Sequence, residues 1–150
     1  MRSRVAVLHG VNLDTLGRRD PALYGTLTLP ELEVRVRYFA RDLGLEPSFF
    51  QSNHEGEFCE ELHDAHDYAD ALVLNPGAWT HYSWAIRDAL EVSGLPAVEV
   101  HISPIEEREE WRRFSVIRDL CLGAVQGKGV EGYREALELV QGHLAEAARS

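Results

Sequence analysis

Residues 28–50, "TLPELEVRVRYFARDLGLEPSFF", contain a helix pattern followed directly by a strand pattern, and this unit decides the fold class. Thr28 and Glu31 have the spacing of a capping box, which predicts where the helix begins. Apolar residues then recur at steps of four, three and four, at Leu32, Val36, Phe39 and Leu43. Gly44 ends the pattern, as glycine commonly does after a helix, and the apolar run 45–50 predicts a strand.

The same alternation of apolar runs and helical patterns continues along the chain. Apolar runs predict five short buried strands, at Val5–Leu8, Leu45–Phe50, Ala71–Leu74, Ala97–Ile102 and Cys121–Val125. Strand–helix alternation of this length implies parallel strands joined by right-handed crossovers, with helices on both faces. We therefore expect residues 1–150 to form a single α/β domain, a flavodoxin-like doubly wound five-stranded parallel sheet.

Composition limits the class of partner. The formal net charge of −10 argues against nucleic acid, because binding a phosphate backbone needs a basic face. No apolar run approaches the roughly 20 residues that cross a membrane. Cys59 and Cys121 form no metal-binding or redox motif, which favours free thiols in a reducing compartment. We expect a cytoplasmic protein with a small-molecule partner.

Polar side chains follow the predicted strands at their carboxyl ends, the edge where such sheets bind ligands. They include His9 and Asn12 after the first strand, Ser52 and Asn53 after the second, Asn75 and His81 after the third, and His101, Ser103, Arg108, Arg112 and Arg113 after the fourth. Turns and helix caps account for Ser52 and Asn53, but less well for paired histidines and several arginines. A functional site is expected at this edge.

Two motifs suggest a cofactor or a metal without further support. Residues 127–132, "GKGVEG", match G-x-G-x-x-G, but only one helix follows, without the second strand and acidic residue of a dinucleotide site. His63 and His66 lie three residues apart on a predicted helix and lack a third ligand at convincing spacing. A turn that lets the last helix pack closely and a solvated helix face are commoner, so we expect neither cofactor nor metal.

The segment "LGRRDPALYG", residues 16–25, places a tyrosine close to two arginines in a predicted loop. A free phenol has a pKa near 10, so a tyrosine that acts as a base needs adjacent positive charge. Arg18 or Arg19 could supply that charge to Tyr24. Packing of Tyr24 against the sheet, with both arginines in water, is an equal alternative on local sequence alone.

Five blocks, in order and covering nearly the whole length, resemble type II 3-dehydroquinate dehydratase, an enzyme of the shikimate pathway. The blocks are "LHGVNLDTLGRRDPALYG", "FFQSNHEGEFCEELHDA", "NPGAWTHYSWAIRDAL", "PAVEVHISPIEEREEWRRFS" and "GKGVEGYREAL". The resemblance implies a lyase that dehydrates 3-dehydroquinate by anti elimination through an enolate, with neither imine nor cofactor. It also implies a homo-oligomer, since the family forms trimers gathered into dodecamers.

The resemblance also implies roles for individual residues. Tyr24 is in the position of the base, Arg19 of the residue that activates the phenol, and His101 of the general acid. Asn12 resembles the residue that holds the water stabilising the enolate. Other matching positions are the substrate contacts Asn75, His81, Ile102, Ser103 and Arg112, the residue Asp88 that reaches a neighbouring subunit's site, and Glu99, which orients His101.

Departures from the family pattern leave an alternative open. His9, Val11 and Asp14 replace two asparagines and a proline of the usual L-N-G-P-N-L-N, and Pro104 replaces an asparagine. A non-catalytic module that binds a small acid is therefore a second hypothesis. An FMN-binding protein is less well supported, because no phosphate loop follows the first strand. The only lysine, Lys128, lies in a glycine turn, which disfavours Schiff-base chemistry.

Overall fold

The computed structural model describes residues 3–149, which contain one sheet of five parallel strands in the order β2-β1-β3-β4-β5. The strands are β1 (Arg4–His9), β2 (Glu46–Gln51), β3 (Ala71–Asn75), β4 (Ala97–His101) and β5 (Gly123–Gln126). The chain builds the sheet outward from β1, first to β2 on one side and then to β3, β4 and β5 on the other side. This is the flavodoxin-like doubly wound arrangement. The predicted fold class is confirmed.

In the described part of the chain, five α-helices accompany the strands: α1 (Pro21–Tyr24), α2 (Leu29–Asp42), α3 (Glu55–Tyr68), α4 (Trp84–Ser93) and α5 (Glu131–Ala148). The predicted capping box begins α2, where the Thr28 side chain accepts from the Glu31 backbone and the Glu31 carboxylate accepts from the Thr28 backbone. Gly44, with φ of 72°, follows the end of α2. Within residues 3–149, no helix combines the length and apolar character of a bilayer span.

Alternate strand residues build two cores, one on each face of the sheet. Val5, Val7 and Val73 pack with α2 and α5, whereas Leu8 and Leu72 pack with α3 and α4. The central strands β1, β3 and β4 are almost wholly buried. The expectation of five buried strands is wrong for β2 and β5, because each lies at a sheet edge and is only partly covered.

The loops after β1 and β3 pass each other so closely that glycine is required. A Cβ on Gly10 would lie 2.2 Å from the Pro76 carbonyl oxygen. Gly77 has φ of 67°, and a Cβ there would lie 2.6 Å from the Val11 carbonyl oxygen. The Gly10 N–H also donates to the Asn75 carbonyl at 2.8 Å. This contact fixes the two loops together at the point where the sheet reverses its strand order.

The "GKGVEG" segment forms the turn between β5 and α5. Gly127 and Gly129 have φ of 71° and 59°, which favours glycine at both positions. A Cβ on Gly132 would lie 3.3 Å from the Val125 side chain. The segment therefore brings α5 close to the sheet, as the sequence predicts.

Candidate active site

A cleft of about 520 Å³, including its open mouth, lies at the carboxyl ends of β1, β3 and β4. Nine of the predicted site residues line it: Asn12, Arg19, Tyr24, Asn75, His81, His101, Ile102, Ser103 and Arg112. Glu99 is fully buried and hydrogen-bonded to His101. Asp88 is exposed on α4 and does not line the cleft. The fold thus collects groups from three stretches of the chain, at the carboxyl ends of β1, β3 and β4.

The Tyr24 phenol is held by two guanidinium groups. Arg19 Nη2 donates to the Tyr24 hydroxyl oxygen at 2.9 Å, and the Arg19 guanidinium carbon lies 4.2 Å from the ring centre. Arg108 Nη1 donates to the same oxygen at 2.6 Å. Arg18 is exposed. Two charged donors therefore converge on one phenol oxygen, and of the two loop arginines it is Arg19 that contacts Tyr24.

Arg108 is a functional candidate that sequence reasoning missed as a partner of Tyr24. The sequence places it only in an arginine-rich segment, 84 residues away from the phenol that it contacts. Its Nη1 also donates to the Ser103 hydroxyl oxygen at 3.1 Å. The contact depends on the short 3₁₀ helix Ile105–Glu107, which follows β4 and carries the chain toward the loop after β1. Local sequence offers no signal for it.

His101 and Glu99 form a buried pair on β4. His101 Nε2 lies 2.6 Å from Glu99 Oε2. Burial by itself would raise the pKa of Glu99, but hydrogen bonds from His101, Arg118 and Ser115 outweigh it and lower that pKa to about 2. The ionised carboxylate can only accept, so Nε2 of His101 carries a proton. The exchangeable proton of the imidazolium is therefore the one on Nδ1.

His81 lies beside His101 with its ring orientation fixed. Its Nδ1 donates to the Phe114 carbonyl oxygen at 2.7 Å, because a carbonyl can only accept. The two imidazole rings stack with centroids 6.1 Å apart, and the Trp111 ring meets His81 edge-on at 5.3 Å. Burial lowers the pKa of His81, which favours the neutral ring. A neutral His81 has Nε2 left as an acceptor.

Asn12 has the left-handed backbone conformation, with φ of 69°, the one non-glycine residue in the range 3–149 with positive φ. Asparagine tolerates this region better than most residues. The Asn12 N–H donates to Asn53 Oδ1 at 2.8 Å, and Asn53 Nδ2 donates to Asp14 at 3.1 Å. Asp14, a departure from the family pattern, thus belongs to the contacts that hold this turn.

Asn75 is joined to a second departure, His9, through the hydroxyl of Tyr133 on α5. Asn75 Nδ2 donates to the Tyr133 hydroxyl oxygen at 3.1 Å. That hydroxyl lies 2.9 Å from His9 Nε2. Complete burial lowers the pKa of His9 to about 4, so the ring is neutral, with its Nε2 hydrogen-bonded to the Tyr133 hydroxyl. The chain of bonds fixes which way the Asn75 amide faces.

The buried His9 predicts a loss of stability in mild acid. Its pKa is lower in the folded state than the usual 6.5, so the unfolded state binds the extra proton and stability falls as pH drops from about 6.5 toward 4. This one group accounts for up to about 3 kcal/mol over that window. The free energy of unfolding, measured in urea at pH 7, 6 and 5, is expected to fall less for His9→Asn than for the unmodified protein as the pH is lowered.

Exposed His143 provides the matched control for that measurement. His143→Asn should keep the steep pH dependence of the unmodified protein, because the buried His9 is still present. If the free energy of unfolding depends equally on pH in His9→Asn and in the unmodified protein, this would contradict a neutral, buried His9.

Other candidate groups lie outside the cleft. Within residues 3–149, no three His, Cys, Asp or Glu side chains are placed to hold a metal ion. Cys59 and Cys121 are separate half-buried thiols, and burial raises the pKa of Cys121 to about 12. Lys128 is exposed and ion-paired with Glu135. Because it is the chain's only lysine, no lysine lines the cleft.

Sequence comparison relates the chain to enzymes of one kind. Residues 3–141 match the model of the family described as dehydroquinase class II. A 3-dehydroquinate dehydratase of Syntrophotalea carbinolica is 51% identical over 135 residues, which cover 89% of this chain and 91% of that protein. The 3-dehydroquinate dehydratase of Thermotoga maritima is 49% identical over 143 residues, covering 95% and 98%.

Solved structures agree with the sequence relatives. A type II dehydroquinase from Propionibacterium acnes superposes with a TM-score of 0.89 at 41% identity, covering 95% of this chain and 98% of that one. The type II dehydroquinase from Butyrivibrio crossotus gives a TM-score of 0.88 at 39% identity, covering 93% and 97%. Both the fold and the sequence therefore point to one family.

Proposed function

This chain belongs to the dehydroquinase class II family and is a 3-dehydroquinate dehydratase of the shikimate pathway, and we propose that it works by anti elimination with Tyr24 as base and His101 as acid. One observation carries this assignment. A tyrosine held by two guanidinium groups and a histidine held by a carboxylate line the same cleft. The cleft thus contains a base and an acid in different electrostatic environments, because two guanidiniums contact the base and one carboxylate contacts the acid.

The first step is removal of a proton from the carbon next to the substrate's ketone. The Tyr24 oxygen takes this proton as phenolate, and Arg19 and Arg108 stabilise that phenolate before the reaction. Both arginines donate to the same oxygen, so their charge is concentrated where the base needs it. Arg19 is thus the activator that the family resemblance implies, and Arg108 is a second one.

The second requirement is stabilisation of the enolate. Negative charge moves onto the ketone oxygen as the proton leaves, and donors fixed in advance lower the barrier most. Asn12 lines the cleft from a turn with a left-handed backbone, and we assign it the role of holding a water against this oxygen. The close contact between the loops after β1 and β3 keeps that turn in place.

The third step is departure of the β-hydroxyl. Hydroxide is a poor leaving group, so His101 Nδ1 gives its proton as the carbon–oxygen bond breaks. Glu99 accepts from Nε2 and stabilises the imidazolium that precedes this transfer. The products are water and 3-dehydroshikimate. Tyr24 then holds a proton and His101 lacks one, and exchange with solvent restores both groups.

Binding falls to the remaining residues of the cleft. Asn75, His81 and the Ile102–Ser103 segment offer polar groups for substrate hydroxyls. The Arg112 side chain is largely buried and ion-paired with Glu109, and we assign it and its surroundings to the hydroxyls and the carboxylate end of the substrate. No reaction step requires a cofactor or a metal ion. The half-buried free thiols fit a reducing, cytoplasmic location.

We infer that the enzyme is a homo-oligomer, which a mass measurement in solution tests. Asp88 is exposed on α4, so a role at an active site requires the site of a neighbouring subunit. Exposed aromatic side chains lie on the same part of the molecule, with Trp84 59% and Phe114 54% exposed and their rings 6.1 Å apart. Apolar exposure of this kind is typical of a subunit interface.

An absorbance assay tests the reaction. Purified protein mixed with 3-dehydroquinate should produce the conjugated enone absorbance of 3-dehydroshikimate. Tight calorimetric binding of quinate or shikimate with no turnover would instead support a non-catalytic binding module.

Borohydride separates this mechanism from Schiff-base chemistry in the same assay. Because Lys128 is paired with Glu135 outside the cleft, borohydride and substrate should leave both activity and protein mass unchanged. A covalent adduct on Lys128 would contradict the enolate mechanism.

A further inference from the structure

Four side chains of alternating charge form a continuous chain that starts at His101 and runs away from the cleft. His101 contacts Glu99, Glu99 accepts from Arg118, and Arg118 Nη1 donates to Glu106 at 3.2 Å. Arg118 lies in the 3₁₀ helix Arg118–Leu120, and Glu106 lies in the 3₁₀ helix Ile105–Glu107. Neither Arg118 nor Glu106 lines the cleft, and Glu99 is the residue that joins them to His101.

Arg118 and His101 share one oxygen of the carboxylate. Arg118 Nη2 lies 3.0 Å from Glu99 Oε2, the same atom that lies 2.6 Å from His101 Nε2. The other oxygen, Oε1, accepts from the Ser115 hydroxyl at 2.7 Å. Three donors therefore fix the Glu99 carboxylate, and its negative charge is divided between an imidazole and a guanidinium.

The division of charge matters because the acid must both hold and release a proton. A buried carboxylate that served His101 alone would stabilise the imidazolium strongly and weaken it as an acid. A guanidinium on the same oxygen reduces that stabilisation. Glu106 neutralises part of the Arg118 charge, so it increases the stabilisation of the imidazolium, whereas Arg118 decreases it. Arg118 is one-third exposed and Glu106 is half exposed, which keeps both effects moderate through solvent screening.

We propose that Arg118 is a positioning residue for the acid His101, and that the Arg118–Glu106 pair sets the pH range over which His101 holds its proton. The inference rests on the proposed function for the role of His101 in catalysis, but the charge chain itself is a property of the free enzyme. Other titratable or charged groups near His101 are His81, stacked at 6.1 Å, and Tyr24, Arg108 and Arg112 around the cleft. None of these contacts Glu99, so substitutions at positions 106 and 118 change the chain selectively.

The test compares two substitutions of opposite expected sign. NMR titration of the His101 imidazole, with its signal assigned by loss in His101→Gln, reports the midpoint in the free enzyme. Arg118→Gln should raise this midpoint by about half a pH unit, because Glu99 then serves His101 alone. Glu106→Gln should lower it by a smaller amount, because the Arg118 charge is then fully available to Glu99. The alkaline limb of kcat should move in the same directions.

Two further variants provide controls. Arg118→Lys keeps the charge and should hold the midpoint close to that of the unmodified protein. Arg113→Gln removes an exposed positive charge five residues away and should leave the midpoint nearly unchanged. Shifts of the same sign for Arg118→Gln and Glu106→Gln, or an equal shift for Arg113→Gln, would overturn the proposal.

The outcomes also separate this inference from the assignment of the reaction. Opposite NMR shifts in a protein without dehydratase activity would support the charge chain and refute the proposed catalytic roles. If Arg118→Gln fails to fold, Glu106→Gln decides alone, since a fall in the midpoint supports the proposal and no change or a rise refutes it.

Discussion

Tyr24→Phe is expected to lower kcat by at least about a hundredfold, and by up to about ten-thousandfold, while the protein stays folded. The substitution removes only the hydroxyl oxygen that two guanidiniums hold, and it keeps the ring that packs against the core between the sheet and α2 and α5. Substrate binding depends mainly on other cleft residues, so KM should change much less than kcat. Steady-state kinetics and circular dichroism together check this result.

Tyr38→Phe is the matched control. Tyr38 is exposed on α2 and does not line the cleft, so the same loss of a hydroxyl there should leave kcat unchanged. Calorimetry with shikimate should show that Tyr24→Phe still binds a substrate-like acid. Turnover near that of the unmodified protein in Tyr24→Phe would mean that another group is the base.

Local patterns in the sequence predict the architecture because each element carries its own signals. The capping box, the apolar spacing and Gly44 locate α2, and all five strands lie within two residues of their predicted ends. The edge position of β2 and β5 escaped prediction, since burial of a strand depends on what packs over it. Hydrophobic periodicity describes one element at a time, whereas the burial of a strand depends on its position in the whole sheet.

The sequence also predicts which residues meet at the cleft, but not all of their partners. Parallel strands bring their carboxyl ends to one edge, so Asn75 and His101 could be placed there in advance. Arg108 and Arg118 were missed as partners because their contacts join distant segments, Arg108 reaching a phenol 84 residues away and Arg118 a carboxylate 19 residues away. No spacing rule connects such pairs, and only the folded loops reveal them.

His9 shows how neighbouring polar groups in the fold accommodate a residue that departs from the family pattern. The family resemblance identifies it as a replaced asparagine, which leaves its effect open. In the folded chain its Nε2 is hydrogen-bonded to the Tyr133 hydroxyl, which accepts from Asn75. A polar residue at this point therefore supports the orientation of a cleft amide, and its cost is a buried imidazole that cannot be protonated without loss of stability.

The two guanidiniums on Tyr24 give the second prediction with a large effect. Arg19→Gln and Arg108→Gln should each lower kcat/KM by about a hundredfold to a thousandfold, because each removes one charged donor from the phenolate oxygen. Steady-state kinetics measure this change. Exposed Arg18 is the control, and Arg18→Gln should keep kcat/KM within about twofold.

The double variant tests whether the two arginines act as one unit. Both act through a single oxygen, so together they cannot cost more than the loss of that oxygen in Tyr24→Phe, and the second loss should cost less than the first. The combined decrease in kcat/KM should therefore be smaller than the product of the two single decreases. A multiplicative result would show that Arg108 acts independently of the phenol, through Ser103, to which it also donates at 3.1 Å. Ser103→Ala distinguishes these routes, because it removes only the second contact and should leave the coupling between Arg19 and Arg108 intact.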